Sequence, residues 1–136
     1  MTVGFAIDTN IAIYALTDGP KSDVALILLD TGPCISIQLL NEFANASRNK
    51  RKLPWVEIDE SLSVITSLSK SIRSIDFALH RRGFLVANRY KIAFYDAMII
   101  AAALLDGCET LYSEDMHHGL VIDGTLTIIN PFRETV

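Results

Sequence analysis

Four carboxylates stand where short apolar strands end or buried helices begin. Asp8 directly follows the run VGFAI, and Asp115 follows ETLYS with Glu114 between them. Asp96 opens the apolar stretch AMIIAAALL, and Glu42 lies about one turn into the helix that follows the strand CISI. Each has an ordinary explanation when taken singly. Asp8 and Asp96 could be helix-start acids favoured by the dipole, Glu42 a surface residue, and Asp115 a turn former. Together they have a stronger one, because carboxylates crowded at low dielectric raise one another's pKa unless a cation neutralises them. No His or Cys occupies a matching position, so the expected cation is a hard, oxygen-loving one, Mg²⁺ or Mn²⁺, with Asp8, Asp96 and Asp115 as its expected ligands. Such an ion completes its shell with waters and phosphate oxygens, which makes phosphodiester hydrolysis the natural chemistry.

The elements that must position these acids can be read from the chain. VGFAI reads as a buried strand running into a helix capped by Asp8, Thr9 and Asn10. KSDVALILLD reads as a second helix stopped by Gly32 and Pro33, and CISI as a second strand. QLLNEFANASRNKRK forms a helix whose basic tail ends at Pro54, and EIDESLSVITSLSKSI forms an amphipathic one. IDFALHRRGFLVANRYK and FYDAMIIAAALLDG are further helices, the last ending at Gly107. ETLYS is a third strand, EDMHHG a loop and TLTIIN a last strand. Strands alternating with helices imply an α/β domain with a mainly parallel sheet covered on both faces, in which ligands bind beyond the carboxyl ends of the strands.

With 136 residues, no repeat and no linker, the chain is expected to be a single domain spanning residues 1–136. Hydrophobic residues at 50% and charged residues at 21% exclude a disordered chain. The longest apolar run, Ala97 to Leu105, is about half of the roughly 20 residues needed to span a bilayer. The start MTVGFAIDTN has no basic region and places Asp8 inside the would-be hydrophobic stretch, so a cytoplasmic location is expected. Cys34 and Cys108 lie apart in apolar or small surroundings and read as reduced core thiols.

The net charge of −4 hides an asymmetry. From Arg48 to Lys91 there are ten basic and four acidic residues, a local balance of +6, while the rest of the chain carries two basic and twelve acidic ones. A polyanion grip is therefore expected in the middle segment, with Lys50, Arg51, Lys52, Arg81 and Arg82 as its candidate contacts.

The segments FAIDTNIAIYA, SIQLLNEFAN, FYDAMIIAAALLDGC and TLYSEDMHHG, in this order, resemble the motifs of PIN-domain ribonucleases, and among them the VapC-type toxins of bacterial toxin–antitoxin systems. RKLPWVEI resembles the stretch before that family's clip-like helical region. The resemblance covers nearly the whole chain. It implies a three-layer fold with a mainly parallel five-stranded sheet and an acidic quartet of Asp8, Glu42, Asp96 and Asp115. It also implies Asn10 as polar partner of the first acid and Ser113 as the hydroxyl residue before the last. Metal-dependent endoribonuclease activity, an antitoxin partner and a homodimer are further implications.

Other residues have plainer roles. Asn10 could cap a helix and orient Asp8, and Ser113 could bond a water or phosphate or simply end its strand. His117 and His118 are adjacent in a loop and cannot copy the i, i+4 spacing of a helical metal pair. Trp55 reads as a packing anchor rather than a base-stacking residue. Two other readings compete with a nuclease: a non-catalytic RNA-binding PIN domain, and an aspartyl phosphatase. The phosphatase needs a second Asp two residues after the first, and that position is Asn10.

Overall fold

The computed structural model describes residues 4–133, so Val3, at the start of the first expected strand, lies outside the described residues. The elements run β1 (Phe5–Ile7), α1 (Thr9–Ala15), α2 (Ser22–Thr31), β2 (Cys34–Ser36), α3 (Ile37–Asn49) and α4 (Trp55–Leu68). They continue with β3 (Ser71–Arg73), α5 (Phe77–Tyr90), α6 (Phe94–Leu105), β4 (Thr110–Tyr112), β5 (Val121–Ile122) and β6 (Leu126–Ile129). The sheet order is β3-β2-β1-β4-β6-β5. All neighbours are parallel except β5, which returns antiparallel along β6.

This is the expected three-layer α/β architecture, with six strands where five were anticipated. The two short edge strands, β3 and β5, account for the differences. Ser71 and Ile72 were expected to close the helix of EIDESLSVITSLSKSI, but α4 stops at Leu68 and Ser69 turns to extended backbone at ψ 140. β3 then pairs in parallel with β2, Ile35 opposite Ile72. The basic tail after α3 is likewise not helical up to Pro54. The helix ends at Asn49, and Lys52 takes the left-handed conformation at φ 58.

Parallel pairing puts the carboxyl ends of β1, β2 and β4 on one edge of the sheet. β1 lies between β2 and β4, with Ala6 opposite Cys34 on one side and Leu111 on the other. Helix α6 lies against this centre with every residue from Ala97 to Ala103 buried, and its four alanines allow close approach to the strands. Packing α6 so deeply fixes its first turn, which carries Asp96, at the same edge of the sheet.

Candidate active site

Asp8 leaves β1 and immediately caps α1: its Oδ1 accepts the Thr9 N–H at 2.7 Å. Its Oδ2 accepts the Ser113 hydroxyl at 2.7 Å, tying the end of β1 to the end of β4. Ser113 is fully buried, and its Oγ also accepts the Met116 N–H at 3.3 Å, so one hydroxyl sets both the carboxylate and the following loop. The Asn10 amide donates to Asp8 Oδ2 at 3.5 Å and to Asp115 Oδ2 at 3.1 Å, while its Oδ1 accepts the Glu114 N–H at 3.3 Å. Asn10 thus orients two acids and their loop. Glu42, half-buried one turn into α3, accepts a hydrogen bond from Gln38 at 3.0 Å, one helical turn back.

Electrostatic coupling links the four expected acids pair by pair. Burial pushes the Asp8 pKa up to about 6 against the lowering pull of Ser113 and Thr9, and the charges of Asp96 and Glu42 add to the rise. Glu42 is raised first by burial and then by Asp96, and Asp96 first by burial and then by Asp115. Like charges therefore meet in sequence from α3 through α6 to the end of β4, with Asp8 buried among them.

The donor set suits a hard cation. Among the described residues, the Thr9 hydroxyl is the buried side-chain polar atom left without a hydrogen-bond partner, and it lies close enough to Glu42 to oppose the rise of its pKa. Carboxylates that raise one another's pKa beside a buried hydroxyl form the environment that a hydrated cation relieves. Among the described residues no three acids, histidines or cysteines are gathered into a ready ligand cage. The oxygen-only donor set fits a hard, hydrated ion such as Mg²⁺, with some acids reaching it directly and others through water.

The profile of the PIN domain family matches residues 5–119, which span all four acids. The chain belongs to the PIN-domain family. No curated protein matches it in sequence. Among solved structures, this PIN domain is similar to a chain of a toxin–antitoxin complex from Klebsiella pneumoniae, at 20% identity with a TM-score of 0.72, over 96% of this chain and 99% of that one. It is also similar to VapC20 from Mycobacterium tuberculosis, a toxin that cleaves the sarcin–ricin loop, at 13% identity and a TM-score of 0.64, over 79% and 87% of the two chains. A third similarity is to the FitAcB structure from Neisseria gonorrhoeae, at 19% identity and a TM-score of 0.63, over 96% and 99%.

Not every expected position of the PIN domain falls at the acid cluster. Lys50 ends α3 eight residues beyond Glu42, about 12 Å along a helix axis. Lys50 and Lys52 are exposed, and Arg51 reaches back to the Ser47 hydroxyl at 3.4 Å. Arg81 is exposed over the ring of Phe84, whereas Arg82 pairs with Asp123 at 3.3 Å and is occupied there. Trp55 is not the packing anchor expected: it is 61% exposed, and the Arg48 guanidinium lies 5.0 Å from its ring centre. His118 has a structural task, its Nδ1 accepting the Asn130 N–H at 2.9 Å.

Sequence reasoning missed Tyr14 and Lys21. The Tyr14 hydroxyl donates to Glu114 at 2.6 Å and Lys21 forms an ion pair with the same carboxylate, which holds the Glu114 pKa down. Lys21 also lies over the rings of Tyr14 and Phe132. These contacts fasten the loop that carries Asp115. The one sequence signal was Glu114 itself, an acid adjacent to the cluster whose charge needed a partner.

Proposed function

We propose that this PIN domain is a metal-dependent endoribonuclease of the VapC type, the toxin of a toxin–antitoxin pair acting in the cytoplasm, with RNA as substrate. The observation that carries the reading is the convergence of Asp8, Glu42, Asp96 and Asp115 at one sheet edge, each of the first three with its pKa raised by burial and by a neighbouring acid. Asp8, Asp96 and Asp115 would hold Mg²⁺ or Mn²⁺, which supplies Lewis acidity and positive charge at a phosphodiester. The chain's own residues do the rest. Ser113 and Thr9 lock both oxygens of Asp8, and Asn10 spans Asp8 and Asp115, so the acids are oriented before substrate arrives. Glu42, half-buried and oriented by Gln38, is the carboxylate placed to take a proton from an attacking water.

The toxin reading draws on structural neighbours that are described as a toxin–antitoxin complex and as a toxin cleaving the sarcin–ricin loop. Under it, an antitoxin covers the carboxylates with a cationic side chain, and two copies of the chain associate as a homodimer. Among the described residues no helix is long and apolar enough to cross a membrane. The decisive experiment is RNA cleavage with purified protein. Activity should disappear in chelator, return with Mg²⁺ or Mn²⁺ but not with Ca²⁺, and fall by orders of magnitude in a folded Asp96→Asn variant. Tight RNA binding without any cleavage would favour a non-catalytic PIN domain instead. Expression of the parent alone should arrest bacterial growth, and the Asp96→Asn variant should not.

A further inference from the structure

Beside the acid cluster lies a run of rings that the reaction does not use. On α5, Phe77, His80, Arg81 and Phe84 share one face at i, i+3, i+4 and i+7, opposite the buried Leu79, Gly83 and Val86. All four are exposed, Phe77 by 76%. Phe77 stacks on His80 at 6.2 Å between ring centres with 30° between planes. His80 meets Phe94 at 5.7 Å, and Phe94 meets Tyr95 at 6.0 Å. The ladder therefore passes from α5 onto the first turn of α6. Its last ring, 64% exposed, belongs to the residue directly before Asp96.

Core packing does not explain these rings, since all of them remain exposed. The charge among them is cationic. Arg81 lies 5.4 Å from the Phe84 ring centre, and the acid at the start of α5, Asp76, is engaged in capping that helix, accepting the Leu79 N–H at 2.8 Å. Aromatic faces interleaved with a guanidinium are the surface chemistry that holds single-stranded nucleic acid, the bases stacking and the phosphates meeting the cation. A second copy docked on the same face fits less well. A two-fold contact would bury Arg81 against the same face of a second copy, whose nearby acid, Asp76, is already engaged in capping.

We propose that Phe77, His80, Phe94 and Tyr95, with Arg81 over Phe84, form a base-stacking platform that binds single-stranded RNA next to the scissile phosphate. The platform rests on the ribonuclease reading and adds to it where the bases flanking the cut are held. Because stacking is tolerant of base identity, the platform supplies affinity and register rather than sequence choice.

The test uses a fluorescein-labelled unstructured 12-nucleotide RNA and the full chain carrying Asp96→Asn, so that the probe survives. Phe77→Leu and Tyr95→Leu keep apolar bulk but remove the ring, and each should weaken binding between about fivefold and about a hundredfold. Tyr95→Trp should retain affinity, and in a Trp55→Phe background its indole emission should be quenched when RNA binds. Circular dichroism and sedimentation of each variant establish that fold and oligomeric state are kept. Unchanged affinity in both Leu variants, with no indole quenching, overturns the platform alone if the parent chain still cleaves RNA. Dissociation of a dimer by either Leu variant, with affinity per protomer unchanged, overturns it in favour of a self-association surface. A parent chain that neither binds nor cleaves RNA overturns the ribonuclease reading and the platform with it.

Discussion

Asp8 shows how a single residue can set opposing demands on stability and chemistry. Its pKa of about 6 lies above its ordinary 3.8, so between those values the folded chain holds a proton that the unfolded chain releases. Stability of the metal-free protein is therefore fullest below about pH 4 and falls as pH rises through about 6, by about 3 kcal/mol from Asp8. Glu42 and Asp96 shift in the same direction and add to the slope. Urea unfolding in chelator at pH 4.5 and 7.5 should show this loss, Asp8→Asn should flatten it, and excess Mg²⁺ should restore stability at the higher pH. An equal slope in Asp8→Asn would place the titration elsewhere. Ser113→Ala tests the partner side: without the hydroxyl that favours the ionised form, the Asp8 carboxyl should titrate higher still by carbon NMR, whereas a downward move would contradict the 2.7 Å bond.

Among the elements, α5 and α6 meet at Gly83, a residue that would be a poor choice in the middle of a helix were space not short. A Cβ there would collide with the Met98 Sδ and stand 3.3 Å from its Cγ. Gly83→Ala gains about 1 kcal/mol in helix propensity but overpacks the small cluster of Leu79, Met98, Ala101 and Ala102, which costs about 1–3 kcal/mol. The net change should be destabilising, and in a Met98→Ala background the same substitution should become stabilising; denaturant titration of the four proteins measures this coupling. A stabilised single variant would mean that Met98 moves aside freely.

The contrast between elements also explains what the sequence made legible. β1, β2 and β4 were readable because buried strands are short runs rich in apolar residues, and Asp8 and Asp115 followed because they come straight after β1 and within three residues of β4. β3 was not, since its one apolar residue, Ile72, is 41% exposed at the sheet edge and gives no periodicity to set against the helix before it. β5 is two residues long. Asn10 and Ser113 were visible as neighbours of acids, but the Tyr14–Glu114–Lys21 contacts join residues about 100 positions apart and leave no local pattern.

At the scale of the whole molecule, the ribonuclease reading requires a chain of net charge −4 to grip RNA, and the local positive excess lies in the middle segment. Lys50, Arg51 and Lys52 lie past the end of α3, away from the acids. Replacing all three with Ala in an Asp96→Asn background should weaken RNA binding and flatten its salt dependence, by about 0.7 in slope for each phosphate no longer neutralised. The chemical step should be unchanged when the triple variant is made in the parent chain. An unchanged slope would show the tail to be a solvated helix end. The bond from Ser113 to Asp8 has a consequence of another kind, because it joins residues 105 positions apart. The middle of the sheet has the same reach, with Ile7 registered against Tyr112. A ribosome extends a chain at about 5–20 residues per second, so for several seconds β1 has no β4 to pair with, and Asp8 waits beside acids not yet translated. Until residues 110–115 have been made, the acid cluster has nothing to close on. On the ribonuclease reading, cleavage cannot begin until β4 has emerged and paired with β1, so the catalytic site is among the last parts of the fold to assemble.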